Sequence, residues 1–243
     1  ELGGQFRLAA SQPERGEIGE LLTWYQSQLE NAQVQIKLRT EMSADDVRNA
    51  GADTVVLCTG SRPSRDGFQR ALPHVARLPG ADQDNVCTVH DVLEGTVVPG
   101  TRVLLLDDLN GWWPASGTAL HLALQRHQVT LVTSAEHAAG QLEDSRTADT
   151  TRERFIKYGI ETLTATALLS WEGNTARFVN LFTGEEDERE FDSLVLATTN
   201  TPEDDLTNAL AGSRLEIHTI GDAVSARTAA MAVYEGRKLG LRL

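Results

Sequence analysis

Gly221-Asp222-Ala223 follows an apolar run, Ile217-His218-Thr219-Ile220, that reads as a strand. A glycine at a strand end lets backbone approach a pyrophosphate, and a helix beginning just after it offers unpaired N–H groups to negative charge. Asp222 has a second reading, as a helix N-cap accepting a backbone N–H. Thr59-Gly60 stands in the same relation to Thr54-Val55-Val56-Leu57-Cys58, although its tight turn also suits a crossing between domains. Gly3-Gly4 reads, on residue type alone, as a turn. His90, His121, His127 and His218 show no metal-ligand spacing with cysteine or carboxylate partners, so no metal site is expected. No Ser–His–Asp or paired-carboxylate hydrolase arrangement can be assembled, and no catalytic residue is assigned. Cys58, inside an apolar strand, reads as a small buried hydrophobe, and Cys87 is not spaced to act with it as a redox pair. Two thiols cannot themselves hold a four-cysteine iron–sulfur or metal site.

These residues need strands and helices to hold them, and the chain alternates the two patterns. Ile18, Leu21, Leu22, Tyr25 and Leu29 recur on one face of a helix. Val34, Ile36 and Leu38 alternate with polar residues as a half-buried strand does. Ser43-Ala44-Asp45-Asp46 is a capping-box helix start, with Gly51 placed to stop it. Thr54 to Cys58 is a branched apolar run of the kind covered on both faces. Prolines and glycines from Ser61 to Gly100 leave little regular structure and suggest a domain crossing. Val103 to Leu106, a helix over Ala115 to Arg126 and Val129 to Val132 make a strand–helix–strand unit of the dinucleotide-binding kind. A helix from Arg152 to Tyr158 is closed by Gly159. Leu168 to Trp171, Ala176 to Leu181 and Arg189 to Phe191, joined at Gly173-Asn174 and Thr183-Gly184, form an antiparallel meander. The acid run Glu185 to Glu188 reads as a solvated hairpin tip. Leu194 to Thr198 returns as a buried strand, and a helix carrying Ala226, Ala229, Ala230 and Val233 follows Gly221-Asp222. Two stretches echo each other, Cys58-Thr59-Gly60-Ser61-Arg62-Pro63 and Ala197-Thr198-Thr199-Asn200-Thr201-Pro202.

The 243 residues carry 22 Lys and Arg against 35 Asp and Glu, a net charge of −13 that argues against a nucleic-acid partner. With 40% hydrophobic and 23% charged residues the chain is globular, long enough for one large domain or two small ones. No apolar run approaches the roughly 20 residues that cross a bilayer. Glu1-Leu2-Gly3-Gly4 is neither a signal peptide nor an initiator methionine, and the expected location is cytoplasmic.

Leu2-Gly3-Gly4-Gln5, Ala52-Asp53 through Pro63, Leu78-Pro79-Gly80, Arg102 to Thr133 and Ile220-Gly221-Asp222-Ala223 together resemble the C-terminal region of the Old Yellow Enzyme-like iron–sulfur flavoproteins. That group includes trimethylamine and histamine dehydrogenases, 2,4-dienoyl-CoA reductase and N-methyl amino-acid demethylases. The resemblance implies an α/β fold of two interleaved Rossmann-like, glutathione-reductase-type nucleotide-binding domains, the first lacking its N-terminal βαβ unit. Residues 1–97 and 211–243 would form the partial FAD/ADP domain, and residues 98–210 the inserted NAD(P)-type domain. It implies FAD or ADP at Gly3, Gly4, Thr59, Gly60, Gly221, Asp222 and Ala223, with Asp222 accepting a hydrogen bond from a flavin ribityl hydroxyl. FMN, the [4Fe–4S] cluster and the catalytic residues would lie in a barrel N-terminal to this region. Glu1 is too close to Leu2 to be the acidic residue that holds the adenosine ribose. The chain would then be a fragment that catalyses nothing alone.

One loop departs from the family pattern. Where dienoyl-CoA reductase-like members cradle the NADPH pyrophosphate in glycines, this chain has Asp107-Asp108-Leu109-Asn110-Gly111-Trp112-Trp113-Pro114-Ala115-Ser116-Gly117. Two unit charges about 4 Å apart repel by roughly 4 kcal/mol at an effective dielectric of about 20, so two carboxylates at the strand end oppose a pyrophosphate. The indoles of Trp112 and Trp113 pack between loop and helix, or else plug the vacant groove or form part of a docking surface, and Pro114 suits a first helical turn in each case. Val129 to Thr133 ends without an acidic residue for a ribose, the nearest being Glu136. NAD(P)H binding is therefore expected to be lost. The resemblance then points to oxidation of a small N-methylated amine. Its implied partners are the barrel, an electron-transferring flavoprotein and a second copy in a homo-oligomer. The rival readings are an NAD(P)H-dependent dienoyl-CoA reductase-like module and a non-catalytic docking scaffold.

Overall fold

The computed structural model describes residues 2–108 and 113–243. In chain order the elements begin with α1 (Gln5–Ser11), α2 (Glu17–Asn31), α3 (Ala44–Asn49), β1 (Thr54–Leu57) and β2 (Ser61–Arg62). Then come β3 (Val86–Thr88), α4 (Val89–Glu94), β4 (Arg102–Asp107), α5 (Trp113–Leu124), β5 (Gln128–Thr133) and α6 (Ala148–Lys157). They continue with β6 (Glu161–Leu163), β7 (Thr166–Glu172), β8 (Thr175–Asn180), β9 (Glu186–Glu190) and β10 (Ser193–Ala197). The last are β11 (Thr201–Pro202), α7 (Asp205–Ala209), β12 (Glu216–Thr219), a short 3-10 turn at Gly221–Ala223 and α8 (Ala229–Gly240). These assort into two compact units: residues up to Val34 with Ser64–Thr199, and Gln35–Pro63 with Asn200–Leu243.

The first unit is built on a five-stranded, all-parallel sheet of order β3-β10-β4-β5-β6. Alternate residues of its strands feed two cores, as the period of a strand requires. Val103, Leu105, Val129, Leu131 and Val195 face Val89, Val92, Ala119, Leu120, Leu122 and Phe155 of the flanking helices. Leu104, Leu106, Val132, Leu194 and Leu196 face Leu168, Trp171, Ala176 and Phe178 of a second sheet, the antiparallel meander β7-β8-β9. Covered on both faces, β4 and β10 are buried along almost their whole length. The run β4–α5–β5–α6–β6 extends the sheet in one direction and β10 adds on the other side of β4, so the strand order reverses between β4 and β10. In open parallel sheets the carboxyl end of such a reversal is where ligands bind.

The stretch from Ser61 to Gly100 holds more regular structure than its prolines and glycines suggest. Val86–Thr88 pairs with β10, and Thr88 starts α4 through a reciprocal capping box with Asp91. This pairing puts residues 64–97 with the five-stranded sheet, and the compact units divide at 34/35, 63/64 and 199/200. The acid run is not only a hairpin tip: Glu186 to Glu188 lie in β9, exposed and ion-paired with Arg177 and Arg189 across and along the sheet.

The second unit holds one parallel pair, β1 beside β12, with Leu57 opposite Thr219. Val47 of α3, Leu57 and Leu210 form its core, with Val55, Leu206 and Ile217 packed against them. The expected capping box is present, Ser43 and Asp46 each accepting the other's backbone N–H. The opposite face is open, with Val56 39% exposed, so β1 is not covered on both sides. Cys58 is correspondingly exposed, not buried as its apolar run suggests. The strand expected at Val34 to Leu38 does not form; all three apolar residues are exposed and none pairs with a described strand. The two echoing sequences meet as the antiparallel pair β2–β11, Ser61 opposite Pro202 and Arg62 opposite Thr201. No described helix is long and apolar enough to cross a membrane.

Candidate functional site

Thr59-Gly60-Ser61 leaves β1 and Gly221-Asp222-Ala223 leaves β12, and the two strands run side by side in the same direction. Five of the seven residues singled out from the sequence therefore meet at one carboxyl edge, in the second unit. Ile220 extends the ladder by donating its N–H to the Leu57 carbonyl at 3.1 Å. Gly60 (φ 81°) and Gly221 (φ 68°) then turn the chain through left-handed conformations that favour glycine. A Cβ at Gly60 would meet nothing within 4 Å, so the space over this turn is open.

Asp222 is half-buried and held by both carboxylate oxygens. The Ser61 hydroxyl donates to Oδ2 at 3.0 Å and the Arg227 backbone N–H donates to Oδ1 at 3.0 Å. Asn200 Nδ2 donates to Ser61 Oγ at 3.3 Å, so the β2–β11 pair supports the carboxylate from behind. A carboxylate has room for about four hydrogen bonds, which leaves acceptor capacity toward a ligand hydroxyl. Asp222 does not cap α8. That helix begins seven residues later at Ala229, after its N-cap Thr228, and a 3-10 turn takes the place of the helix start expected directly after Gly221, so Ala226 precedes the helix. Thr59 is committed elsewhere: its hydroxyl donates to the Glu203 carbonyl at 2.5 Å, and the Glu203 N–H donates to the Gly60 carbonyl at 2.9 Å.

Gly3 and Gly4 belong to the first unit, where they lead into α1. A Cβ at Gly3 would lie 2.7 Å from Leu22 Cδ1 and 2.9 Å from Arg7 Cγ, so close approach of α1 and α2 explains that glycine. Gly4 faces open space.

The loop after β4 is described at both ends, while Leu109 to Trp112, including one of the paired indoles, lies outside the described residues. Asp107 and Asp108 are both buried. Asp108 turns away from the strand end toward Arg70, accepting its backbone N–H at 2.7 Å and its Nε at 3.2 Å, while the Arg70 guanidinium also reaches the Asp108 carbonyl. Trp113 packs between helix and loop, against Ala139, Leu142 and Ala148, with the Arg15 guanidinium 4.0 Å from its ring centroid. Behind it the buried Gln12 donates from Nε2 to the Trp113 carbonyl at 2.9 Å. The same side chain fills the space over Gly117, its Cδ 2.5 Å from where a Cβ would stand. Sequence reading overlooked Gln12 and Arg70, because their partners lie 101 and 38 residues away. It also overlooked Arg227 and Glu235, although the charge pair so soon after Gly-Asp was a usable signal.

No cluster of three or more potential metal ligands occurs among the described residues. His127 and His218 hydrogen-bond to the Gly100 carbonyl and to Glu216, which gives both structural partners. Burial pushes the Cys87 thiol up to about 12, an inert core group.

No family model matches the chain. It is 29% identical over 213 residues to N,N-dimethylglycine/sarcosine dehydrogenase of Chromohalobacter salexigens, covering 86% of this chain and 30% of that protein. It is 28% identical to dimethylamine dehydrogenase of a Hyphomicrobium species, covering 98% of this chain and 36% of the relative. The solved structure of 6-hydroxypseudooxynicotine amine oxidase from Pseudomonas geniculata N1 superimposes with a TM-score of 0.94 at 29% identity, over 100% of this chain and 37% of that one. The chain thus spans about a third of the length of the oxidoreductases it matches. On these matches the chain is similar to the C-terminal part of the Old Yellow Enzyme-like flavoprotein group.

Proposed function

We propose that this chain is the FAD- or ADP-holding, electron-transfer-supporting module of a flavoprotein that oxidises, and thereby demethylates, a small N-methylated amine. The observation that carries the reading is Asp222, fixed by two donors at the carboxyl edge of a parallel strand pair, beside an open glycine turn. The residues fit the group. Gly60 leaves room for backbone to approach a diphosphate, Gly221 and Ala223 shape the facing turn, and Asp222 keeps acceptor capacity for a ribose or ribityl hydroxyl. Thr59 holds the turn in place. A bound flavin would supply hydride or single-electron acceptance; the module's own work is to bind, orient and shield. The proposed architecture is a pair of interleaved nucleotide-binding domains, the second unit lacking a βαβ part. FMN, a [4Fe–4S] cluster and the amine site belong to the barrel this reading places outside the chain, with an electron-transferring flavoprotein as acceptor. The names of two relatives, which are dehydrogenases of N-methylated amines, support that substrate class.

The carboxyl ends of β4 and β10 fit a pyridine dinucleotide poorly. Asp107 and Asp108 are buried at the strand end, and Gln12 packs over Gly117 in the helix that would face the diphosphate. Arg70 compensates Asp108, so charge opposes a diphosphate less than two bare carboxylates would, and the filled space over α5 carries more of the argument. The test is to denature the purified full-length protein, identify the nucleotide released, and then add excess NADPH anaerobically to the intact protein. FAD or ADP in the supernatant and an unbleached flavin are the expected results. Recovery of neither nucleotide favours a docking scaffold, and rapid bleaching favours an NAD(P)H-dependent reductase.

A further inference from the structure

The turn that carries Asp222 is gripped from α8. The buried Gly221 donates its N–H to Glu235 Oε2 at 2.8 Å. Arg227 pairs with Glu235 Oε1 at 2.8 Å, and its Nη2 also reaches the Gly221 carbonyl at 3.3 Å. Both backbone polar groups of Gly221 are therefore held by one ion pair, and the backbone of Arg227 holds one Asp222 oxygen. Gly221 has no Cβ to restrict its left-handed conformation, so this grip, together with the Val224 N–H on the Gly221 carbonyl at 3.1 Å and the Ser61 hydroxyl on Asp222, sets the direction in which Asp222 points. An exposed ion pair contributes little on average, but this carboxylate also satisfies a buried N–H that has no other acceptor among the described residues.

We infer that Glu235, bridged by Arg227, is a positioning residue that sets the Gly221–Asp222 turn for the adenine dinucleotide or ADP. The inference rests on the proposed FAD/ADP reading of this edge. Removing Glu235 frees the Gly221 amide and lets the carboxylate swing from the ligand hydroxyl, while the strands and α8 keep their own contacts.

The test uses the full-length protein stripped of nucleotide, in the wild type, Glu235→Gln and Glu235→Ala. ADP affinity, amide exchange at Gly221 and the thermal midpoint are measured for each. We expect Glu235→Ala to weaken ADP about tenfold and to speed Gly221 exchange comparably, as loss of a charge-assisted hydrogen bond does. Glu235→Gln, which still accepts the N–H, should stay within about threefold of wild type on both measures. A merely structural role would lower the thermal midpoint of both variants without this split. Wild-type affinity in Glu235→Ala overturns the inference and leaves the FAD/ADP reading standing. A wild type that binds neither ADP nor FAD overturns both. Should Glu235→Ala not fold, Arg227→Met decides, because it removes the bridge and spares the Glu235–Gly221 bond. Several-fold weaker ADP binding supports the inference, and unchanged binding sinks it.

Discussion

Gly80 shows how a residue can be recognisable in sequence for one reason and required in the structure for another. Leu78-Pro79-Gly80 is legible only as part of a family likeness, and nothing in its composition says what it does. In the fold it lies against the meander: the Trp171 N–H donates to the Pro79 carbonyl at 2.9 Å, and Gln83 Nε2 donates to the Trp171 carbonyl at 2.8 Å. Gly80 sits at φ 88°, and a Cβ there would stand 1.7 Å from that same carbonyl oxygen. Backbone cannot yield as a flexible side chain can, so Gly80→Ala must displace β7 from the sheet it covers. We expect a loss of about 3 kcal/mol or more, read as a fall in the urea midpoint. A loss below about 1 kcal/mol would show that the contact is easily relieved. Gly221-Asp222 is the opposite case. The residue pair pointed correctly to a strand-end turn, yet Ser61, which supports the carboxylate, lies 161 residues from Asp222. Long-range partners of this kind leave no spacing to read.

At the scale of elements, legibility followed burial. β4, β5 and β10 are short branched runs covered on both faces, and such runs stand out in any sequence. The meander declared itself through Gly173-Asn174 and Thr183-Gly184, and α3 through its capping box. The alternating residues at Val34 to Leu38 misled because alternation states a preference, while a strand also needs a neighbour to take its N–H and carbonyl groups. β3 and α4 were hidden for the converse reason: three strand residues and six helical ones carry too little pattern, and what fixes them is pairing with β10 and the Thr88 cap. The meander is also what closes one face of the five-stranded sheet, and Trp171 is its fully buried anchor, its Nε1 donating to Asn85 Oδ1 at 3.0 Å. Trp171→Ala should therefore cost about 3–5 kcal/mol, because the cavity opens between two stiff sheets that cannot collapse into it. Trp171→Phe keeps most of the volume and should cost clearly less, and denaturant unfolding of both variants measures the difference. Equal losses would mean that the Asn85 hydrogen bond, and not packing, sets the contribution of this residue.

Over the whole molecule, the charge balance suggests one response to acid and two half-buried histidines another. A net charge of −13 means that protons relieve self-repulsion, which by itself would stabilise the fold as pH falls. Against this, burial holds His90 below the usual imidazole range, and burial together with the nearby His127 does the same for His121. The unfolded chain takes up these protons at about pH 6.5 while the folded one does not, so both groups remove stability as pH drops through that region toward their folded values. Ordinary carboxylates titrate near about pH 4, so between about pH 7.5 and 5.5 few of them gain protons and the relief of repulsion stays small. The histidines should decide the sign there. At lower pH a second loss sets in. Glu235 is held down by the Gly221 N–H, Asp192 by the Arg102 N–H, Asp46 by the Ser43 hydroxyl and Asp187 by the Arg189 guanidinium. Each contributes stability above the ordinary carboxylate pKa that disappears as pH falls through its lowered folded value. The expected result is a urea midpoint that declines from about pH 7.5 to 5.5 and declines further below about pH 4. High salt separates the two effects, since it screens surface repulsion and leaves desolvation of the histidines untouched. A midpoint that rises between about pH 7.5 and 5.5 at low salt and flattens at high salt would show that self-repulsion, and not the half-buried imidazoles, governs this range.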